Sequence, residues 1–501
     1  MAIESPILYE NPSATAFVVD IPSSIALAQA LPRQDSSLSQ PHSAPSATKS
    51  YNGDRVLLSS TPLREPYPSL TEPKTEAARA RVLERIPLSE RRYHSEIIEP
   101  LVAEKIRELN EALKNNLEWC LPRVVIDGDG DGDGDGDGDG DAQDGADDST
   151  QGEQIQQPGK RKRQRSSTTC STICSCSTQE SSSIHTNTLC THDQPPLILA
   201  PGENAFESIS ELSNTVVRNT SLEPATVKIR CQATTDDLTS ASNYERRRIS
   251  HHYHSFHVPP SSHFLRCTIP ISEPIQESTT TSHQPLIPDL SREQKFDLIL
   301  LDPPWTNRSV RRSGHYQTQF YKGWDLLTQR ICDILQLHLQ YAESRQESHA
   351  NTAKGPVAAI WITNSAKARK TAYEAIQGAG LDVCEEWIWL KITTDGRPIT
   401  ELGGLWRKPY EILVIGREVQ SQVHGKGDVV RRVIAAVPDV HSRKPNLKAL
   451  FERMFFSSGV AGDSVLPYSA LEVFARNLTA GWWACGDDVL KFNSEEWWVD
   501  R

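Results

Sequence analysis

The ten residues Phe296-Asp297-Leu298-Ile299-Leu300-Leu301-Asp302-Pro303-Pro304-Trp305 constrain the fold more than any other stretch. Four consecutive apolar residues bounded by turn signals read as a parallel strand covered on both faces. Ligands in open α/β sheets gather at the carboxyl ends of such strands, so Asp302 and Trp305 stand where chemistry is expected. Each proline locks its φ and lacks an N–H, which leaves the carbonyls of Pro303 and Pro304 fixed in direction and able to accept hydrogen bonds. A carboxylate and a carbonyl together can take both protons of an adenine's exocyclic amine. The nitrogen lone pair then points at an electrophile while Trp305 stacks on the ring. The chemistry implied is methyl transfer to that nitrogen. Taken alone, the same four residues also describe an ordinary Asp-Pro turn with a tryptophan capping a core.

From residue 290 onward the pattern alternates. Strands are expected at 297–301, 357–363, 384–392, 411–416, 429–436, 471–475 and 481–485. Helices are expected at Asp325 to Tyr341, with Leu327, Ile331, Ile334 and Leu335 on one face, at Ala366 to Gln377 closing at Gly378, and at Pro445 to Phe456 with proline in first position. Alternation of this kind predicts a mostly parallel α/β sheet with helices on both faces.

The rest of the chain is less regular. Residues 1–80, rich in Ser, Pro and Ala, read as mostly disordered. In 81–122, Leu101, Ile106, Leu109, Leu113 and Leu117 recur at helical intervals, giving an amphipathic helix of about five turns that packs on the main domain or on a partner. Residues 123–194 read as a low-complexity linker with a strict Asp-Gly repeat over 127–141 and the basic block Lys160-Arg161-Lys162-Arg163-Gln164-Arg165, which has the composition of a nuclear import signal or a phosphate-binding patch, import being favoured. Short apolar segments return in 195–289, at Pro196 to Leu199, Val227 to Cys231 and Phe264 to Ile269, as an accessory segment laid against the domain at 290–501.

Charge excludes little. The formal net charge of −12 is nearly all accounted for by eleven Asp between 127 and 148, and residues 290–501 carry 27 Lys and Arg against 25 Asp and Glu. A nucleic-acid partner is neither demanded nor ruled out. No apolar run approaches the length that spans a bilayer, and the amino terminus has no basic cluster, so no membrane association is expected. Ten cysteines without a regular framework suit reduced thiols. Cys170, Cys174, Cys176 and Cys190 lack paired C-x2-C spacing, and the Asp-Gly repeat lacks the closing Glu of a calcium loop, so no metal is expected.

Six separated blocks resemble the MT-A family of adenine-N6 methyltransferases, most closely the subgroup called methyltransferase-like protein 4. They are Asp302 to Trp305, 307–316 (NRSVRRSGHY), Trp361 to Asn364, Lys408-Pro409-Tyr410-Glu411, His441-Ser442-Arg443-Lys444-Pro445 and 471–492. The resemblance covers 290–500 and, more weakly, 85–120 and 195–270. It implies a Rossmann-like methyltransferase fold with the catalytic loop ahead of the cofactor-binding strands. It also implies S-adenosylmethionine (SAM) as cofactor, in a pocket lined by Asp302, Pro303, Lys444, Arg476, Asn477, Asp487 and Asp488, with Lys444 meeting the donor's carboxylate. The residues support part of this on their own: two strands end at Arg476-Asn477 and at Asp487-Asp488, and an acid closing the second strand of such a pair typically takes ribose hydroxyls.

Substrate contacts are expected from Asn307, Arg308, Arg311, Arg312, His315 and Tyr316, where arginines beside aromatic residues can neutralise phosphates and stack on unpaired bases, and from Lys408, Tyr410 and Glu411. The resemblance to the methyltransferase-like protein 4 subgroup implies RNA as substrate, especially 2′-O-methyladenosine in a U2-type small nuclear RNA, with DNA adenine as runner-up. The expected setting is nuclear, with the cytoplasm also open, and the expected state a monomer with a protein partner left open. The rival of another class is a non-catalytic partner that keeps the fold to bind RNA or a second subunit.

Overall fold

The computed structural model describes residues 5–31, 55–68, 72–73, 75–114, 118–126, 195–230, 253–271, 285–305, 324–341, 355–405, 407–418, 428–458 and 465–500. The strands in chain order are β1 (Ile7–Glu10), β2 (Ala16–Val19), β3 (Arg55–Ser59), β4 (Val124–Val125), β5 (Leu197–Ile198), β6 (Gly202–Phe206), β7 (Val216–Arg218), β8 (Ala225–Arg230) and β9 (Tyr253–Val258). They continue with β10 (His263–Leu265), β11 (Leu298–Leu301), β12 (Val357–Ile362), β13 (Asp382–Lys391), β14 (Tyr410–Arg417), β15 (Val430–Ala436), β16 (Ala470–Val473), β17 (Trp483–Cys485) and β18 (Trp498–Asp500).

Twelve of these strands form one sheet in the order β1-β2-β15-β13-β14-β12-β11-β16-β17-β10-β7-β5. Its centre, from β12 through β11, β16 and β17 to β10, is parallel throughout. The antiparallel departures are β14, which lies between β12 and β13, and the pairs β1/β2 and β10/β7 nearer the edges. Smaller sheets join β18-β3-β4 and β6-β8-β9.

β11 sits at the middle for the reason its composition suggests. All four residues are buried, and successive side chains alternate faces: Leu298 and Leu300 enter one apolar cluster, Ile299 and Leu301 the other. One cluster is closed by the helices Glu99–Leu113, Trp324–His338 and Ala366–Gly378, the other by Ile21–Ala28 and Lys448–Phe455. Leu327, Ile331, Ile334 and Leu335 are all at most 1% exposed, so the helical face expected from their spacing is the one that is buried.

Several expectations are corrected. Residues 5–31 are not disordered: β1, β2 and the helix Ile21–Ala28 form one end of the main sheet, with β2 parallel to β15 and Ala16 to Val19 at most 1% exposed. A run of four apolar residues is short, and its burial comes from a strand more than 400 residues further along. Asp20 caps the helix by accepting from the Ser23 N–H at 3.0 Å, with proline in the first turn. The accessory segment does not lie against the domain as a separate piece, since β10, β7 and β5 prolong its sheet beyond β17. The helix Glu99–Leu113, preceded by a π-helical turn at Tyr93–Ile98, packs on the sheet through Ile98, Val102 and Leu109. Boundaries at 81, 195 and 290 therefore divide no independent cores.

The last long helix begins at Lys448 rather than Pro445, because the Asn446 side chain accepts the Lys448 N–H at 3.0 Å and starts the helix three residues late. Gly378 lies within its helix, not after it. A Cβ there would come 2.8 Å from Cys332 Sγ, so close helix packing requires this glycine, while the left-handed turn falls at Gly380 with φ +78°.

Candidate active site

β11 ends at Asp302, whose N–H bonds to Val473 O of the neighbouring β16 at 3.2 Å. The ends of β11, β12 and β16, the 442–447 turn and the segment after β16 line an open cleft. Asp302, Lys444, Arg476 and Asn477 all line it, drawn from chain positions up to 175 residues apart.

The charges are arranged as an alternating chain. Lys391 Nζ lies 2.7 Å from Glu411 Oε1, Lys444 Nζ 3.2 Å from Glu411 Oε2, and Lys444 Nζ 3.1 Å from Asp302 Oδ2. Burial raises the pKa of Glu411, but Lys391 and Lys444 overcome it and hold the group at about 2. Burial likewise disfavours the Lys444 charge, and Asp302 and Glu411 more than offset that, so its pKa is raised.

Lys444 is aimed by its neighbour. The Arg443 guanidinium is fully buried, bonds Asp439 Oδ2 and Leu58 O at 2.8 Å each, and stands 4.5 and 4.8 Å from the ring centroids of Phe492 and Trp497. With this arginine locked, Ser442 takes φ +62° and Lys444 faces the cleft. Phe474, also on the cleft wall, has φ +63°. Backbone strain of this kind concentrates at functional sites.

Two features make the cleft suited to a ligand with hydroxyl and carboxylate groups. Asn477 Nδ2 is buried without a hydrogen-bond partner, a costly arrangement unless a ligand supplies one. Lys444 offers an ammonium at the same wall. SAM, with its carboxylate, ammonium and ribose hydroxyls, fits these donors and acceptors.

The structure redistributes several expected roles. Trp305 is only 7% exposed and donates its indole N–H to Trp361 O at 2.8 Å, so its ring is core and not a platform for a base. The alternative of a capped turn is the one realised. The Pro303 carbonyl already accepts the Trp305 backbone N–H at 2.8 Å, which occupies one of its two acceptor directions. Tyr410 is fully buried with its hydroxyl 2.9 Å from His94 Nδ1, and Lys408 Nζ lies 2.5 Å from Glu99 Oε1, so both tie the strand to the amino-terminal helices and not to a substrate. Asp487 accepts from the Thr268 hydroxyl at 2.6 Å, Asp488 lies 3.8 Å from Lys491, and neither lines the cleft. Gly486, just before them, has φ +147°, and a Cβ there would come 3.1 Å from Phe474 Cα, so the close approach of the two strand ends requires glycine.

The carboxyl that does line the cleft is Glu472, opposite Leu300 in the β11/β16 register. Burial and the nearby Asp302 push it up to about 8. Sequence reasoning passed over it because a glutamate inside a strand reads as solvent-facing. Its one signal was an acid among apolar residues in a strand expected to be central. Asn307, Arg308, Arg311, Arg312, His315 and Tyr316, the Asp-Gly repeat, the basic block and the cysteine cluster all lie outside the described residues.

A mostly parallel α/β sheet, helices on both faces, and a polar cleft where its central strands end define a Rossmann-like methyltransferase fold. Residues 296–488 match the MT-A70 family model, and the chain carries an MT-A70 domain. Two fungal proteins named "N6-methyladenosine RNA methyltransferase MTA1" are similar: that of Cryphonectria parasitica is 42% identical over 212 residues, 41% of this chain and 55% of that protein, and that of Pyricularia oryzae 35% identical over 274 residues, 54% and 60%. The mouse protein named "N(6)-adenine-specific methyltransferase METTL4" is 29% identical over 252 residues, 48% of this chain and 45% of that protein. The chain thus spans about half the length of the curated relatives it matches. Among the described residues, no helix is long and apolar enough to cross a membrane.

Proposed function

We propose that this protein is a SAM-dependent N6-adenine methyltransferase acting on nucleic acid, with RNA as substrate. The observation that carries this reading is the Asp302–Lys444 pair at the end of β11, 3.1 Å apart, beside the unpartnered Asn477 amide. When bound, SAM would supply an electrophilic methyl group on a sulfonium.

The protein's own groups would bind and orient. Lys444 holds the donor's carboxylate, and Asn477 offers its free N–H to a ribose hydroxyl. Asp302 keeps Lys444 on one oxygen, while Oδ1 accepts a proton of the target amine and directs the nitrogen lone pair along the transfer axis. The amine would gain positive charge on methylation. The same carboxylate stabilises that charge and accepts the proton that must leave. Alignment supplies most of the acceleration.

The names of the two fungal relatives favour RNA. The finer reading, 2′-O-methyladenosine in a U2-type small nuclear RNA, is supported only by resemblance to the methyltransferase-like protein 4 subgroup. One assay addresses all levels: labelled SAM with matched RNA and DNA oligonucleotides, with and without a 2′-O-methyl on the target, followed by digestion to nucleosides. Labelled N6-methyladenosine from RNA is expected. Label in deoxyadenosine alone overturns the substrate, and no label anywhere favours a non-catalytic binding protein.

A further inference from the structure

Three carboxyl groups stand around the donor cleft, and they are not equivalent. Asp302 and Glu411 share Lys444, and Glu411 has Lys391 as well. Glu472, on the cleft wall at the β16 position beside Leu300, has no hydrogen bond or ion pair among the described residues. The groups facing it are Asp302 from the loop after β11, Lys444 from the 442–447 turn, Arg476 from the segment after β16, and the Cys485 thiol from β17, which burial keeps neutral. Arg476 does not pair with it, and directs Nη1 to Ser442 O at 3.3 Å. The cleft therefore contains one carboxyl with no counter-ion of its own.

The methyl donor and its product differ by one methyl and one charge. S-adenosylmethionine carries a sulfonium, S-adenosylhomocysteine (SAH) a neutral thioether, and the adenosine, ammonium and carboxylate are common to both. Building on the donor-binding reading above, we infer that Glu472 is the specificity-determining residue that distinguishes donor from product, taking on negative charge when the sulfonium is bound and remaining neutral when the thioether is bound. Burial and the charge of Asp302 outweigh the attraction of Lys444 and Arg476, which form no ion pair with it, and keep it neutral in the free protein near pH 7, where its pKa is about 8. A cation entering the cleft lowers that pKa and releases the proton to solvent. By linkage, a ligand that expels a proton binds more tightly as pH rises, and one that does not is indifferent to this group. Product then leaves a cleft that has recovered its proton, which favours exchange for fresh donor.

The test is isothermal titration calorimetry of the full chain with SAM and with SAH at pH 7, in buffers of differing ionisation enthalpy, for the parental protein and Glu472→Gln. The proton count belonging to Glu472 is the parental value minus that of the variant, which cancels protons moved on the ligand's own amine. About one proton released with SAM and none with SAH is expected. The variant should lose about tenfold in SAM affinity while SAH changes less than about twofold. Equal counts in parental and variant protein, or the same release with SAH, overturn the inference while leaving donor binding intact. Binding of neither ligand overturns the donor reading and this inference together. The parental protein alone gives a second check that needs no variant: the ratio of SAM to SAH affinity should climb with pH between about 6 and 8, and a flat ratio overturns the assignment.

Discussion

Trp305 and Trp361 are joined by a single hydrogen bond, indole N–H to backbone carbonyl at 2.8 Å, which ties the loop after β11 to the end of the parallel strand β12. The bond makes the tryptophan a brace for Asp302, three residues earlier, and keeps its ring inside the apolar cluster. Replacing it therefore acts on stability before it acts on substrate. Trp305→Phe should cost about 1 kcal/mol for the lost bond, and Trp305→Ala about 3 to 5 kcal/mol for the cavity. Urea denaturation measures both. A base-stacking tryptophan would instead show unchanged midpoints and weakened oligonucleotide binding.

Asp302→Asn preserves shape but weakens the hold on Lys444 and on the target amine. Methyl transfer should fall about a hundredfold or more, with the donor dissociation constant changed far less. Single-turnover kinetics beside equilibrium donor binding separates the two. Transfer at the parental rate would remove Asp302 from the mechanism.

Tyr410 belongs to a buried polar group that includes His94 and Glu90, with Glu90 Oε1 3.2 Å from His94 Nε2. Tyr410→Phe should lower stability by about 1 to 3 kcal/mol, since it leaves an imidazole nitrogen buried and unpaired, and should leave oligonucleotide affinity within about twofold. Denaturation and fluorescence anisotropy give the two numbers. A large loss of affinity at unchanged stability would return Tyr410 to the substrate surface.

The raised pKa of Glu472 makes a statement about stability. Its ordinary value is near 4.5 and its folded value about 8, so between these pH values the native state binds the extra proton and stability falls as pH rises. Glu472→Gln removes that dependence. The variant should gain on the parental protein by about 2 kcal/mol between pH 5 and pH 8, a figure reduced from the full shift because the side chain is partly solvated. Denaturation midpoints across that range decide it, and parallel profiles for the two proteins would refute the assignment.

The amino-terminal strands carry a final prediction. Removing residues 1–31 strips β2 from β15 and exposes an edge containing Val433 and Ile434, both fully buried in the intact fold. An unprotected apolar edge favours association. The truncated chain should be insoluble or aggregated by size-exclusion chromatography, and a soluble, monodisperse product would refute this role for β2.

How much of this was legible depends on whether the signal was local. β11 and β12 are continuous apolar runs, and the helices Trp324–His338 and Ala366–Gly378 repeat their apolar residues on one face, so pattern alone placed them. Asp302, Lys444, Arg476 and Asn477 were legible for a different reason, as members of blocks in family order, and they meet in one cleft. β2 was not legible, because four apolar residues acquire meaning only when β15 arrives beside them.

The sequence by itself determined which segments are strands and helices in the carboxyl-terminal half, and which acid ends the central strand, because hydrophobic periodicity and chain stiffness act over a few residues. Only the tertiary structure decided which way side chains face. It buried Trp305 and Tyr410, paired Asp487 with the Thr268 hydroxyl, and left Glu472 on the cleft wall near Asp302. Burial and electrostatic environment are properties of neighbours, and those neighbours are drawn from strands and turns far apart in the chain.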